Sequence, residues 1–521
     1  MDTLTFIAIV TVLGCYAYFM PKGKLASIPG VPLYRSVLGF LFKLPFDEAL
    51  KFSSQIDLVH RFKVIRAYFQ GDWTLMVGCP DLATYIYSDT TAFPKLVPEH
   101  HQPQSVFARL TGSSAFFSNG QTWHKHRKSL IDPSAFASYA TKKSTLSAEQ
   151  LQKIMASMNS QIQAKKGSTV DALDLMQRVT FDCLSQQFLN KNFNMTCSKA
   201  QNSLLHVFDE VFNYGFTLAT TVFPILQSKY NPFYKHVYQD IDKWETSLKD
   251  IITKTRSGMA DETEHDFIGK MIVVSEQSQE SVEETDKAIL DVLKMLFLPS
   301  QSLPPAIGAA LHFLAQNKDI QEKAFEEVKS VVGENGSEFA LTQSQINCLP
   351  YLSAIVKETQ RLYLTLCPPP KRVASCDVTF KGHFIPKGTH VMIDTFAMQR
   401  DPSNWANPEV FDPTHFLDGK SGAGYVSFGA GTRRCPGAQL ATYLMLKILS
   451  NVVLEFDVKY PPFIPSQAQA ESACCVWLLG TTSRRTWWEI FITKDLRFKA
   501  SLGLAFREKL RAHTLISWKT R

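Results

Sequence analysis

Residues 428–437 read Phe-Gly-Ala-Gly-Thr-Arg-Arg-Cys-Pro-Gly, a stretch that sets one cysteine, Cys435, among glycines, arginines and a proline. Glycines let the backbone turn tightly and approach a flat ligand, which indicates a loop built to hold the sulfur. Backbone N–H groups of such a loop can bond to the sulfur, and Arg433 adds positive charge that favours a thiolate or pairs with an acidic ligand. A helical pattern follows in residues 438–453, so the sulfur is expected near a helix N-terminus.

The spacing Phe-x-x-Gly-x-Arg-x-Cys-x-Gly resembles the haem loop of cytochromes P450. The resemblance implies that Cys435 binds the iron of haem b as an axial thiolate, which pushes electron density onto the metal and favours O–O cleavage. It also implies cofactor-binding roles for the other spaced positions, Phe428, Gly431, Arg433 and Gly437. A buried cysteine in an ordinary turn is the alternative, but further motifs of the family follow in the expected order.

Two basic segments resemble the parts of the family that contact the haem propionates. Trp123 and Arg127 are four residues apart, on one helix face, where an indole N–H and a guanidinium can bind a carboxylate. Arg372 follows residues 368–371, Pro-Pro-Pro-Lys, and the prolines favour an extended strand past the haem edge. An exposed basic helix and a surface arginine are the alternatives.

Glu358 and Arg361 form an acid–base pair three residues apart with apolar flanks, which indicates burial. The run resembles the Glu-x-x-Arg motif of the family, a pair that serves structure around the haem loop. The family often adds an arginine from a later Pro-x-Arg-Phe segment. This chain has His415 there, in Pro413-Thr414-His415-Phe416, and histidine can donate hydrogen bonds but is not reliably charged.

The chain departs from the family in the helix over the haem. There the family usually has Ala/Gly-Gly-x-Asp/Glu-Thr, whose small residues admit dioxygen and whose acid and alcohol relay protons. Counting back without gaps places the motif on residues 298–302, Leu-Pro-Ser-Gln-Ser. Ser302 keeps an alcohol, Gln301 has an amide that cannot ionise, and Pro299 removes an N–H and kinks the helix. By resemblance Ser302 and Gln301 are the catalytic candidates.

Three functions remain open. The first is a monooxygenase that inserts one oxygen atom of O2 into a lipophilic substrate, with slower proton delivery, because positioned acid–base groups contribute roughly 10²–10⁴-fold. It needs a separate NADPH–cytochrome P450 reductase, since no G-x-G-x-x-G turn lies between a strand and a helix. The second is an isomerase or dehydratase that acts on a peroxide without O2. The third is a haem-binding protein with little turnover.

The pattern predicts one catalytic domain in residues 36–460, mainly α-helical with a small β region, in the cytochrome P450 fold. Hairpins are expected in residues 60–80 and 380–393. A long helical pattern from Ser281 to Glu327 is interrupted at Pro299 and Pro304-Pro305.

The two ends of the chain are predicted to differ from this domain. Residues 1–20 include an uncharged apolar run that predicts a membrane anchor, and residues 21–35 form a proline-rich hinge. The basic residues of the hinge predict a single-pass protein of the endoplasmic reticulum with a cytosolic catalytic domain. A cleaved signal peptide is the alternative to the anchor, but the basic n-region that such a peptide needs is missing here. Residues 461–521 are an atypical extension, either a true insertion or an error in the gene model, in which residues 502–507 resemble the last strand of the family.

Composition narrows the partners. A net charge of +7 without dense Lys/Arg clusters argues against nucleic acid, and basic surface residues suit an acidic electron donor. Ten cysteines without a C-x-x-C motif indicate neither zinc nor disulfides, which fits a reducing compartment. By resemblance, residues 94–117 and 208–233 line the pocket, and their aromatic side chains suit a lipophilic substrate. Residues 317–323 resemble fungal members of the family.

Overall fold

The helices arise where apolar residues recur at three- and four-residue spacing and bury one face of each segment. This computed structural model describes residues 20–35, 50–112, 114–129, 148–164, 169–197, 224–258, 267–276, 281–333, 341–364, 369–417, 422–459 and 515–520, apart from positions 22, 51, 52, 54, 70, 71, 102, 104, 115, 342 and 423. The helices there are α1 (Gln55–Phe62), α2 (Pro80–Ser88), α3 (Pro98–His101), α4 (Val106–Thr111), α5 (Gly120–Ser129), α6 (Ala148–Gln163), α7 (Ala172–Leu189), α8 (Lys235–Gly258), α9 (Phe267–Glu276), α10 (Val282–Leu296), α11 (Pro299–Gln316), α12 (Lys318–Val332), α13 (Gln343–Ile346), α14 (Pro350–Leu362), α15 (Thr395–Met398) and α16 (Ala438–Glu455).

Short strands form three small sheets in the described residues. They are β1 (Val64–Phe69), β2 (Asp72–Val77), β3 (Thr169–Asp171), β4 (Arg372–Val373), β5 (Val378–Phe380), β6 (His383–Ile385), β7 (His390–Ile393), β8 (Phe456–Lys459) and β9 (Leu515–Thr520). The sheet orders are β1-β2-β7-β4, β3-β9-β8 and β5-β6. The predicted mainly α-helical class with a small β region is therefore confirmed.

One predicted hairpin is confirmed and the other is partly wrong. β1 and β2 pair antiparallel, with Val64 opposite Val77, as expected for residues 60–80. In the second region β5 and β6 form the hairpin, whereas β7 pairs with β2 and β4 of the four-stranded sheet. Pro386 separates β6 from β7, because a proline cannot donate to a ladder.

The predicted long helix from Ser281 to Glu327 is three helices, α10, α11 and α12. The first break falls at residues 297–298, so Pro299 takes the first position of α11, where no N–H is required. The predicted break at Pro304-Pro305 is wrong, since both residues lie inside α11, and the second break falls at Asn317. Thirteen of the eighteen residues of α11 are buried, and tertiary packing of this kind overrides a weak local propensity.

Both ends of the chain lie largely outside the described residues. These include residues 1–19 of the predicted anchor and residues 502–507, the predicted last strand. β9, at residues 515–520, pairs antiparallel with β3 and β8. Within the part of the chain that the structure describes, none of the helices has the length and apolar character needed to cross a bilayer.

A buried ionic network joins α4, α8 and α10. Arg109 donates two hydrogen bonds to Glu245, one of them 2.7 Å long, and Lys294 donates another at 3.0 Å. Lys294 also pairs with Asp291 at 2.8 Å, and both side chains are buried. Burial alone would raise the pKa of Glu245, but the hydrogen bonds and charges of Arg109 and Lys294 outweigh it and lower that pKa. The network therefore fixes α4 against the two longer helices.

We predict that Lys294→Met lowers the free energy of unfolding by about 3 kcal/mol or more, because it removes a buried cation that pairs with the buried carboxylates of Glu245 and Asp291. The control is Lys153→Met, which removes one member of an exposed pair with Glu149. Denaturant unfolding followed by circular dichroism measures both. Equal and small losses in the two variants would show that the buried network contributes no more than an exposed pair.

Candidate active site

The loop around Cys435 brings the backbone N–H of Gly437 to the sulfur. The N–H of Cys435 donates to the carbonyl of Phe428 at 2.9 Å, which closes the loop. Burial raises the pKa of the Cys435 thiol, while the N–H of Gly437, which bonds to the sulfur, and the charges of Lys95 and Arg127 act in the opposite direction. The residue is partly accessible and lies just before α16.

Gly431 lets the loop pack against α2. Its φ is +67°, and a Cβ there would lie 2.7 Å from the carbonyl oxygen of Tyr87. Gly429 has a similar φ of +70°, but the nearest atom to its added Cβ is 3.9 Å away. Only Gly431 of the two therefore combines a left-handed backbone with a close approach.

Basic side chains cluster on one side of Cys435. Burial lowers the pKa of Arg433 to about 9, and the charges of Arg372 and Arg127 add to the effect. Burial also holds the pKa of Lys95 well below its usual range, and Arg433 and Arg372 lower it further. The sulfur of Cys435 acts in the opposite direction on Lys95, and among the described residues the other charges that act on these two pKa values are those of Arg372, Arg127 and Arg433. The cluster is therefore a candidate site for an anionic group.

Neighbouring carbonyl groups and rings hold these cations in place. Arg372, on β4, donates to the carbonyl of Phe93 at 2.8 Å and lies over the ring of Tyr87. Arg433 donates to the carbonyl of Ser118 at 2.8 Å, and its guanidinium lies 4.5 Å from the ring centroid of Trp123. The structure thus brings together Trp123, Arg127, Arg372 and Arg433, which the sequence had separated by up to 310 positions.

Lys95 is a member of this cluster that sequence reasoning missed as a site residue. Its Nζ donates to the carbonyl of Phe116 at 2.7 Å, and Asn119 bonds to both its backbone N–H and its carbonyl. A single basic residue within the otherwise apolar run 92–98 was the available signal. Haem b carries two propionates, so a cluster of buried cations around a cysteine suits it chemically.

Glu358 and Arg361 form a fully buried pair on α14, away from the cations. Two hydrogen bonds of 2.7 and 2.8 Å join the guanidinium to the carboxylate. His415 lies 3.1 Å from Glu358 through Nδ1 and 2.8 Å from the carbonyl of Ala406 through Nε2. The histidine therefore contacts the pair at the place where the resemblance implied a third member.

The two catalytic candidates on α11 point in different directions. Pro299, Ser302, Pro305 and Gly308 are partly accessible, whereas every other residue from 300 to 315 is buried. A Cβ at Gly308 would meet nothing within 4 Å. Ser302 is thus partly accessible, and Gln301 is in the packed part. Residues 208–223 of the second predicted pocket segment lie outside the described residues.

Comparisons with known proteins point to one protein family. The family model described as Cytochrome P450 matches residues 29–475. Cytochrome P450 2C70 of Mus musculus is 27% identical over 368 residues, which cover 68% of this chain and 73% of that protein. The 2-hydroxyisoflavanone synthase of Glycyrrhiza uralensis is 25% identical over 463 residues, which cover 84% and 85% of the two chains.

Solved structures show the same fold. The crystal structure of the cytochrome P450DA haem domain has a TM-score of 0.66 at 19% identity and covers 84% of this chain and 92% of that one. A mutant of that haem domain has a TM-score of 0.69 with the same identity. The predicted fold is therefore confirmed, whereas the expected fungal origin stays a prediction.

We predict that Gly431→Ala greatly reduces the haem bound per chain, because the new Cβ must displace the backbone of α2. Gly429→Ala is the matched control, which carries only the left-handed strain of about 1–2 kcal/mol. Haem content after purification measures the difference. Similar retention in the two variants would mean that the contact with Tyr87 does not shape the loop.

Proposed function

Because the chain belongs to the cytochrome P450 family, we propose that it is a haem-thiolate monooxygenase that inserts one oxygen atom of O2 into a lipophilic substrate. The family and fold imply a haem with a cysteine thiolate ligand, and the chain is an oxidoreductase. The observation that carries the proposal is Cys435 in a closed loop beside a cluster of partly or fully buried basic side chains.

In this proposal Cys435 would bind the haem iron. The N–H of Gly437 would stabilise its sulfur as a thiolate. The two propionates would be bound by the basic side chains of the cluster and the indole of Trp123, that is, by Arg433, Arg372, Arg127, Lys95 and Trp123. A haem held in this way supplies the chemistry that activates dioxygen. The chain's own contribution is to place that group, to exclude water around it and to deliver protons.

Ser302 is the residue of α11 that we assign to proton delivery. Its hydroxyl is partly accessible and could accept and donate a proton. Gln301 cannot ionise, so the relay lacks the carboxylate that the family usually has. Pro304 has no N–H for the carbonyl of Ser300, so the turn that carries Ser302 lacks this main-chain hydrogen bond.

The electron donor is proposed to be a separate NADPH–cytochrome P450 reductase. Exposed basic residues near the loop, His124 on α5 and Arg434 after the turn, suit an acidic partner. Residues 94–117 and 208–233 are proposed to line the pocket for the lipophilic substrate, which reaches it from the membrane.

The proposed domain limits follow the sequence. Residues 1–20 anchor the chain in the endoplasmic reticulum membrane with the catalytic domain, residues 36–460, in the cytosol. The hinge, residues 21–35, is held to that domain because Arg66 donates to the carbonyls of Leu25 and Ala26 at 3.0 and 2.7 Å. The extension from 461 to 521 ends in β9, which pairs with β8 of the domain.

A second candidate function is favoured by the altered turn at residues 298–302. An isomerase or dehydratase that rearranges a peroxide needs no proton relay for dioxygen, so the loss of a carboxylate at Gln301 would cost it nothing. Incubation with a lipid hydroperoxide in the absence of reductase and NADPH separates the two. Turnover there supports the second candidate, and turnover that needs NADPH and reductase supports the first.

We predict that the reduced, CO-bound protein shows the red-shifted Soret band of thiolate ligation and that Cys435→Ala loses it. Cys183→Ala is the control, because that thiol is buried in the main core and plays no part in the site. A folded wild-type protein without the band would refute the haem-thiolate assignment.

We predict that Ser302→Ala lowers the ratio of product formed to NADPH consumed, because more of the electron flow then ends in peroxide. Ser300→Ala is the control, since the Ser300 hydroxyl is buried and donates to the carbonyl of Phe297 at 2.7 Å. Gln301→Glu restores an ionisable group and is expected to raise the ratio. If all three variants couple like the wild type, water alone carries the protons.

A further inference from the structure

Gln399 lies between the buried Glu358–Arg361 pair and the loop that carries Cys435. Its side chain has no solvent exposure. Its side-chain Nε2 donates to the main-chain carbonyl of Arg361 at 3.0 Å. The main-chain carbonyl of Gln399 accepts from the Arg361 guanidinium at 2.8 Å. This residue therefore bonds to Arg361 through its main chain and its side chain.

The other end of the same amide faces the loop. Oε1 of Gln399 accepts the backbone N–H of Val426 at 3.2 Å and lies 3.2 Å from the hydroxyl of Ser427. That hydroxyl is also 3.1 Å from the carbonyl of Gln360 on α14. We call this set of contacts, made by Gln399 with Arg361, Val426 and Ser427, the Gln399 bridge.

Gln360 adds a second contact to each side of the loop. Its Oε1 accepts the hydroxyl of Tyr425 at 2.8 Å, before the cysteine. Its Nε2 lies 3.5 Å from the sulfur of Met445 on α16, after the cysteine. The segment 425–428 is thus tied to α14 and ends at Phe428, whose carbonyl holds the N–H of Cys435.

We propose that Gln399 is a positioning residue that holds the backbone of Cys435 in the place where its sulfur would bind the haem iron. The inference rests on the proposed role of Cys435. The Gln399 bridge fixes segment 425–428, and the carbonyl of Phe428, at the end of that segment, accepts the N–H of Cys435 at 2.9 Å. Loss of the bridge lets segment 425–428 move, and the backbone of Cys435 then moves with it.

The test compares Gln399→Met with Gln321→Met. Gln321 is a matched control because it is equally buried and makes three comparable hydrogen bonds to the carbonyls of Leu314 and Val458 and the N–H of Val458, away from the loop. For each variant, the share of haem that shows the red-shifted CO band is measured during heating, together with helix content by circular dichroism.

We expect Gln399→Met to lose most of the red-shifted band at temperatures where the helix content is unchanged. Gln321→Met lowers the unfolding temperature but keeps the band until unfolding. Ser427→Ala, which removes a single hydroxyl from the bridge, gives the same change to a smaller extent and serves if Gln399→Met does not fold.

Two results overturn the proposal. If Gln399→Met or Ser427→Ala loses the band only together with helix content, as the control does, the bridge is merely structural. If the wild type lacks the band, the assignment of Cys435 fails and the inference fails with it. If the wild type shows the band and the bridge variants keep it as well, the proposed function stands and only the inference is refuted.

Discussion

The guanidinium of Arg361 donates all five of its N–H groups in a space that solvent does not reach. Glu358 accepts two of these hydrogen bonds, and the carbonyls of Gln399, Pro408 and Val410 accept the others. Both side chains of the pair are completely buried. Taking two charges out of water is costly, so such a pair contributes little stability by itself. Removing one partner is nevertheless strongly destabilising, because the other charge is then left buried. Its effect is to join segments that are distant in sequence.

The loop that carries Cys435 is held by the Glu358–Arg361 pair and its partners. The basic residues beside that loop, in contrast, lower the stability of the fold. Arg372 is buried and Lys95 and Arg433 are partly buried, and desolvation lowers the pKa of each. Like charges at short range repel one another, most strongly where water is scarce. A dianionic ligand would relieve this repulsion. The cost lies at the functional site, which is where local conflicts of this kind are usually found.

α11 shows a different compromise. It contains Pro299, Pro304 and Pro305, yet it continues because most of its residues are packed in the main core. The residues proposed to bind the cofactor match the family's motifs, whereas the turn at residues 298–302 departs from them. Ser302 keeps an alcohol in that turn and is partly accessible.

Much of the fold class and the cysteine loop could be read from the amino-acid order. The spacing of Gly431, Arg433, Cys435 and Gly437 is local, and glycine, proline and cysteine impose their geometry and chemistry on the residues next to them. The same holds for the hairpin of β1 and β2, whose alternation lies within one short segment.

Only the tertiary structure decided the rest. Lys95 and Gln399 lie beside the cysteine loop because distant segments meet there. The apolar run around Lys95 marks that residue as unusual, but no local pattern marks the contacts of either one. The packing of α11 decided that Pro304-Pro305 stays helical, since burial of a whole helix outweighs the loss of one or two backbone hydrogen bonds. By itself the sequence determined which groups can react. The fold determined which of these groups face one another, because the distances between them and their burial are set only when the chain has folded.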